Sequence, residues 1–189
     1  MTTPGMPSTP DAPHHARNVL VAYASRGGAT AEIARWLAER LRGEEDAPEV
    51  TVAEISDDLD PSGYDAVILG SALYEGRWMR SASRFARRHR HELEHVWVWA
   101  FSSGPLDDSA TTDEVLITHS ADRATRRVLA RDHVTFGGRL APDSRGWLAH
   151  AMVEGGHGGD FRDRAQIDAY ADQIAGELSM LPRLRHPVL

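Results

Sequence analysis

A short glycine-rich segment gives the strongest chemical signal in the sequence. Residues 23–30 read Tyr-Ala-Ser-Arg-Gly-Gly-Ala-Thr and lie between an apolar run and a stretch with helical periodicity. In such a strand-to-helix turn, backbone N–H groups and the N-terminus of the helix favour an anion. The residues that this interpretation assigns to a phosphate group are Ser25, Arg26, Gly27, Gly28, Ala29 and Thr30.

Each residue type in this loop has its own expected role. Glycine lets the main chain fold closely around phosphate oxygens, and Ser25 and Thr30 offer hydroxyl donors. Thr30 also suits a helix N-cap, and Arg26 offers a charged contact or points to solvent. A P-loop is excluded because the chain has no lysine, and the dinucleotide-binding fingerprint lacks its third glycine. A plain strand–turn–helix connection capped by Thr30 remains the alternative.

Two further segments rich in small and hydroxyl residues follow later apolar runs. A ligand of an open parallel sheet lies outside the carboxyl ends of the strands, so both segments are expected at the same site. The rings of Tyr74 and Trp78 suit stacking on a flat aromatic ligand, although core packing is the alternative for each. The residues assigned to such a ligand are Ser71, Ala72, Leu73, Tyr74, Glu75, Gly76, Ser102, Ser103, Gly104 and Pro105.

Other site chemistries have little support in the sequence. Cysteine is absent, which excludes thiolate metal sites and thiol catalysis. His91 and His95 are four residues apart, but neighbouring arginines would repel a cation, so we expect a solvated helix face and no metal. His157 is expected to be a loop histidine. A serine nucleophile elbow is missing, because Ser103 lacks the required preceding glycine.

The elements that must position these loops alternate in the way that is typical of a parallel α/β sheet. The sequence predicts strands at residues 19–24, 49–55, 65–70, 96–101 and 133–137. It predicts helices at residues 30–41, 79–93, 122–131 and 164–181. The expected fold is a three-layer α/β sandwich with a five-stranded parallel sheet.

Length and composition indicate one domain with disordered ends. The 189 residues suit one core at residues 18–182, with a disordered N-terminal tail at 1–17 and a C-terminal tail at 183–189. Residues 139–161 are predicted to be a segment added to the core fold, with a short amphipathic helix. A net charge of −7 argues against nucleic-acid binding. The absence of a signal-like or membrane-spanning apolar run favours the cytoplasm.

With these motifs, residues 18–181 resemble the flavodoxin superfamily. They are similar in particular to the branch of menaquinone-dependent protoporphyrinogen IX dehydrogenases. Three segments support that branch: the phosphate loop, the sequence Gly-Ser-Ala-Leu-Tyr-Glu-Gly-Arg-Trp at 70–78, and the glycine- and tryptophan-containing segment at 137–156. The resemblance implies the flavodoxin-like strand order 2-1-3-4-5. It also implies FMN as cofactor, with its phosphate on the first loop and its ring against the two later ones.

The resemblance also implies an activity and partners. It implies oxidation of protoporphyrinogen IX, with a quinone as acceptor and peripheral contact with the inner membrane face. Trp147, Leu148 and Met152 would then line a quinone or membrane contact. The acidic net charge departs from the basic character of that branch. Two alternatives therefore stay open: a flavin-free binding or regulatory module, and a small electron carrier that docks a redox partner protein.

Overall fold

A parallel sheet forms the middle layer of the computed structural model, which describes residues 17–43, 47–104, 118–140 and 159–182. Five of its strands are parallel and lie in the order β2-β1-β3-β5-β6, while the short β4 pairs with β3 in the antiparallel direction. The six strands are β1 (Asn18–Ala24), β2 (Glu49–Glu54), β3 (Ala66–Tyr74), β4 (Arg77–Trp78), β5 (Trp97–Ser103) and β6 (His133–Phe136). The order of the parallel strands confirms the predicted flavodoxin-like α/β fold.

Helices cover both faces of the sheet because its strands are apolar on both sides. On β1, Val19 and Val21 contribute to one core, and Leu20 and Ala22 to the other. The first core lies under α1 (Ala29–Arg42) and α5 (Arg164–Met180). The second core lies under α2 (Arg80–Arg88), α3 (Arg90–Leu93) and α4 (His119–Arg127).

Strands β3 and β5 continue beyond the ends predicted from the sequence. Ser71 of β3 pairs with Ser102 of β5, and Ala72 pairs with Ser103. Polar and small residues that resemble a loop in sequence therefore form strand here, because each strand is flanked by a neighbour that completes its hydrogen bonds. Some of the residues predicted to contact a ligand therefore lie on strands rather than on loops.

The helix boundaries differ from the sequence prediction at two places. The helix predicted at 79–93 is divided at His89, whose ψ of 28° ends α2 before the short α3 begins. The helix predicted at 122–131 begins earlier, because the Thr118 hydroxyl accepts a hydrogen bond from the backbone N–H of Ala121.

A small two-stranded sheet lies at the end of β6. It pairs β7 (Arg139–Leu140) with β8 (Gly159–Asp160) in the antiparallel direction. The chain therefore leaves the core fold after β6 and returns beside its point of departure. The return is tight, since a Cβ atom on Gly137 would lie 1.8 Å from the backbone oxygen of Phe161. Glycine is required there because backbone cannot move aside as a flexible side chain can.

Several sequence predictions fall outside the described residues. They are most of the N-terminal tail, the C-terminal tail, Pro105, His157, and the predicted helix with Trp147, Leu148 and Met152. Within the described ranges, no helix is long and apolar enough to cross a membrane.

Candidate functional site

The phosphate loop, residues 25–28, connects β1 to α1, and space is left beside its main chain. Gly28 precedes the helix with a φ of +83°, a left-handed conformation that favours glycine. The Ser25 hydroxyl accepts a 3.1 Å hydrogen bond from the Gly28 N–H and so fixes the loop. A Cβ atom on Gly27 would meet nothing within 4 Å. The loop therefore has room for a ligand next to the N-terminus of a helix.

No side chain caps α1 among the described residues, although the sequence favoured Thr30 as the N-cap. Gly28 holds that position instead, and Thr30 lies in the first helical turn with 1% of its surface exposed. The N-cap prediction for Thr30 was wrong because the glycine turn ends two residues earlier than the threonine. An uncapped N-terminus leaves backbone donors and a partial positive charge for an anion.

The second loop is a tight hairpin between β3 and β4. Tyr74 pairs with Arg77, and the two residues between them, Glu75 and Gly76, have φ values of 51° and 68°. Positive φ at both central residues is typical of the two-residue turn that matches the twist of paired strands. The hairpin projects Tyr74, whose side chain is 44% exposed, beyond the end of the sheet.

Arg26 connects the phosphate loop with the hairpin. Its guanidinium carbon lies 5.7 Å from the centre of the Tyr74 ring, within the range of a cation–π contact. Burial raises the pKa of the Tyr74 hydroxyl above its usual value, and the positive charge of Arg26 acts in the opposite direction. The first two predicted loops are thus adjacent at the carboxyl ends of β1 and β3.

Trp78, the other aromatic candidate, is packed in the protein core next to the hairpin. It is 4% exposed, and its indole N–H donates a 2.8 Å hydrogen bond to the hydroxyl of Ser102. The Ser71 hydroxyl is likewise buried, accepts from the Met79 N–H at 3.0 Å and donates to the Ala72 carbonyl. The two serine hydroxyls are therefore engaged within the protein, which orders the strand ends next to the site.

The third segment approaches the hairpin at its described end. Gly104 has a φ of +127°, and a Cβ atom there would lie 3.2 Å from Cβ of Leu73. Its N–H donates to the Phe136 carbonyl at 3.0 Å, while Ser103 and Ala72 are nearly buried beside it. Pro105 lies outside the described residues. Contacts of these residues with a ligand stay a prediction.

His133 is a partly buried residue near Ser102 that the sequence analysis did not select. Its Nε2 lies 2.8 Å from the Ser102 hydroxyl. Burial lowers the pKa of the imidazole to about 4, against a smaller opposing effect of Asp132. Because Ser102 already accepts from Trp78, its own proton is available for an unprotonated Nε2. A histidine at the start of a predicted strand gave no signal of this arrangement.

A cluster of charged side chains at the start of α1 also escaped the sequence analysis. Glu32 of the first turn binds Arg139 from β7, at 2.6 and 3.2 Å, and Arg162 at 2.7 Å. Arg162 is 3% exposed, pairs with Asp160 at 2.6 Å and lies over the ring of Trp36. Although burial alone would raise it, the pKa of Glu32 is lowered by the two arginines. The carboxylate therefore stays ionised beside the loop.

A metal site has no support in the part of the chain that the structure describes. No group of three or more histidine, aspartate or glutamate side chains there is arranged to hold an ion. His91 is exposed, and its Nδ1 atom lies 3.7 Å from Oε2 of Glu94.

The sheet order and the open loop at its carboxyl edge define the class of flavodoxin-like α/β proteins. A family model described as a flavodoxin domain matches residues 20–155, and the chain therefore belongs to the flavodoxin domain family. A comparison with curated proteins gives no match. FMN is the cofactor of this family, and the uncapped helix, the open glycine loop and the projecting tyrosine fit its phosphate and its ring.

Solved structures with the same fold are distant in sequence. An oxidoreductase from Corynebacterium diphtheriae has a TM-score of 0.57 and 13% identity, covering 89% of this chain and 100% of its own. A flavodoxin from the domain Archaea has a TM-score of 0.56 and 11% identity, covering 86% and 99%. Rubredoxin oxygen:oxidoreductase from Desulfovibrio gigas has a TM-score of 0.56 and 16% identity. The match covers 86% of this chain but 36% of that larger protein.

Proposed function

We propose that this protein binds FMN between the phosphate loop and the β3–β4 hairpin and acts as an oxidoreductase or electron-transfer protein. The observation that supports this best is the juxtaposition of an uncapped helix N-terminus with a projecting aromatic ring, bridged by Arg26 at 5.7 Å from Tyr74. Bound FMN supplies reversible electron transfer, and the protein positions it and tunes its potential.

The residues of the chain divide the work of holding the cofactor. In this proposal, the backbone N–H groups of Gly27, Ala29 and Thr30 and the Ser25 and Thr30 hydroxyls bind the phosphate. The strand ends at 71–76 and 102–105 border the flavin ring, with Tyr74 against its face. Because the hydroxyls of Ser71 and Ser102 are engaged internally, these two residues contribute backbone and shape to the site.

A visible absorption spectrum tests the cofactor. The purified protein is mixed with FMN and separated from excess cofactor by gel filtration, and we expect retained flavin bands. The S25A/T30A double variant should lose most of the flavin, while S179A/T51A, which makes the same changes at exposed positions outside the loop, should keep it. Thermal unfolding checks that both variants are folded. A colourless wild-type protein would instead indicate the flavin-free binding module.

Protoporphyrinogen IX, with a quinone as acceptor, is the more specific reaction that we propose. Its support is the sequence of the phosphate loop and of the segment at 70–78. The FMN-loaded protein should oxidise protoporphyrinogen faster than the air-oxidation blank, and equal rates contradict this substrate. With protoporphyrinogen as the electron donor and without oxygen, the FMN-loaded protein should then reduce a quinone analogue, and failure to do so contradicts the acceptor.

Peripheral membrane contact through Trp147, Leu148 and Met152 belongs to the same proposal. Polar replacement of all three should weaken binding to liposomes. Unchanged binding contradicts the contact but leaves the flavin chemistry untouched. Docking to a redox partner protein is the alternative, and it predicts electron transfer that weakens as salt is added.

A further inference from the structure

Arg139 lies beside the phosphate loop although it is more than one hundred residues away in sequence. Its Nη2 atom is 4.0 Å from the point that a Cβ atom on Gly28 would occupy. Since Gly28 has no side chain, nothing of its own separates the guanidinium from the turn that precedes α1. The residue comes from β7, at the beginning of the excursion between β6 and β8.

A rigid support holds the Arg139 guanidinium in this place. Both of its Nη atoms donate to the two carboxylate oxygens of Glu32, at 2.6 and 3.2 Å. Glu32 is fixed in turn by Arg162, which is nearly buried and packs on Trp36. The backbone is also pinned, because the Phe161 N–H donates to the Gly138 carbonyl at 3.0 Å.

Arg139 has donors left for a further acceptor. Arginine offers five N–H groups, and the described residues account for one on each Nη atom. Its Nε is buried without a hydrogen-bond partner among the described residues. A buried unpartnered donor destabilises the folded state unless something accepts from it.

The charges around the loop favour an anion only when Glu32 is neutralised. A phosphate monoester has a charge of about −1.5 to −2 at neutral pH, and a carboxylate in the first turn of the same helix would repel it. Arg139 and Arg162 together balance the charges of Glu32 and Asp160, which removes this repulsion, and the guanidinium of Arg139 lies on the side of Gly28.

We propose that Arg139 binds the phosphate group of FMN, so that a side chain from β7 completes the phosphate site. This inference rests on the proposed function and adds a specificity-determining residue to it. Arg139 distinguishes the phosphorylated flavin from riboflavin, which has the same ring and ribityl chain but no phosphate.

Flavin titrations of the full-length apoprotein test the proposal. Quenching of flavin fluorescence gives the dissociation constants of FMN and riboflavin separately. We expect Arg139→Gln to weaken FMN binding about tenfold or more, the range of a charge-assisted hydrogen bond, and to change riboflavin binding less than about twofold. Arg35→Gln makes the same charge change at an exposed position of α1 and should alter neither constant. Arg139→Lys keeps the charge and should restore part of the preference for FMN.

The outcomes separate this inference from the proposed function. If Arg139→Gln weakens FMN and riboflavin equally, the residue only supports the loop, and the inference is wrong. An unchanged FMN constant also overturns it, while the proposed function stands. If Arg139→Gln does not fold, Arg139→Met is titrated in its place, and an FMN-to-riboflavin ratio equal to that of the wild type overturns the inference. A wild-type protein that binds no FMN overturns both proposals together.

Discussion

The hydroxyl of Ser102 on β5 lies 2.8 Å from Nε2 of His133 on β6. The same hydroxyl accepts the indole N–H of Trp78, at 2.8 Å, from the hairpin strand β4. One small side chain therefore links two parallel strands to the hairpin that projects Tyr74. The imidazole must be unprotonated at Nε2 to accept from Ser102, which agrees with a pKa lowered to about 4 by burial.

We predict that His133 makes the protein less stable in acid. Its pKa is about 4 in the folded protein and about 6.5 in the unfolded chain, so the unfolded state binds more protons between these values. Its contribution is complete above pH 6.5 and decreases as the pH falls, by about 3 kcal/mol at pH 4. Chemical denaturation at several pH values should show the free energies of unfolding of wild type and His133→Asn converging by this amount. Parallel curves would contradict the prediction.

The Ser102 hydroxyl itself should be important for stability. Ser102→Ala would leave the Trp78 N–H and the His133 Nε2 buried without their partner. We expect a loss of about 1–3 kcal/mol in the free energy of unfolding, measured by urea denaturation. Ser179→Ala removes an exposed serine hydroxyl near the end of α5 and should change stability by less than about 0.5 kcal/mol. Equal effects of the two substitutions would show that the buried link contributes little.

Gly137 is the position where the inserted segment depends most on the absence of a side chain. Gly137→Ala would place a methyl group 1.8 Å from the Phe161 oxygen, so backbone must shift. We expect destabilisation of about 3 kcal/mol or more, seen as a lower midpoint in thermal unfolding. Gly176→Ala, inside α5 with nothing within 4 Å, should stabilise by about 0.5–1 kcal/mol. A Gly137→Ala protein as stable as wild type would contradict the close approach.

Tyr74 should affect the flavin ring and leave the phosphate contact unchanged. In the proposed site its ring packs on the flavin, and an aromatic pair contributes about 0.5–1.5 kcal/mol beyond burial. Tyr74→Leu should therefore weaken FMN and riboflavin by a similar factor of about 2–12 in fluorescence titrations. Met180→Ala, at an exposed apolar position at the end of α5, is the control. Loss of FMN affinity alone, with riboflavin unchanged, would contradict a stacking role for Tyr74.

The phosphate loop was predictable because its signal is local. A buried strand, two glycines and a helix follow one another within a few residues, and steric rules for glycine restrict what such a turn can be. The alternation of apolar runs and helical patterns predicted a parallel sheet, since parallel strands require crossover connections, and the resemblance to flavodoxins predicted the order of its strands. The N-cap was misassigned because Gly28 and Thr30 both suit that position, and only the chain path distinguishes them.

The hairpin after β3 shows where local patterns are insufficient. Ser71 and Ala72 are small residues that resemble a loop, yet they pair with β5. Leu73 and Tyr74 pair with the two residues of β4. Pairing partners that lie far along the chain decide such a segment, because a strand is stable only when a neighbour satisfies its hydrogen bonds. The same hairpin leaves Trp78 buried and Tyr74 exposed.

The amino-acid sequence by itself determined the parallel α/β class of the fold and the glycine-rich turn between β1 and α1, because periodicity and glycine sterics are local properties. Only the tertiary structure decided that Arg139 reaches Glu32 across 107 positions and that Ser102 joins Trp78 to His133. Such contacts depend on how strands and insertions pack in three dimensions, because that packing decides which charges meet and which side chains are buried.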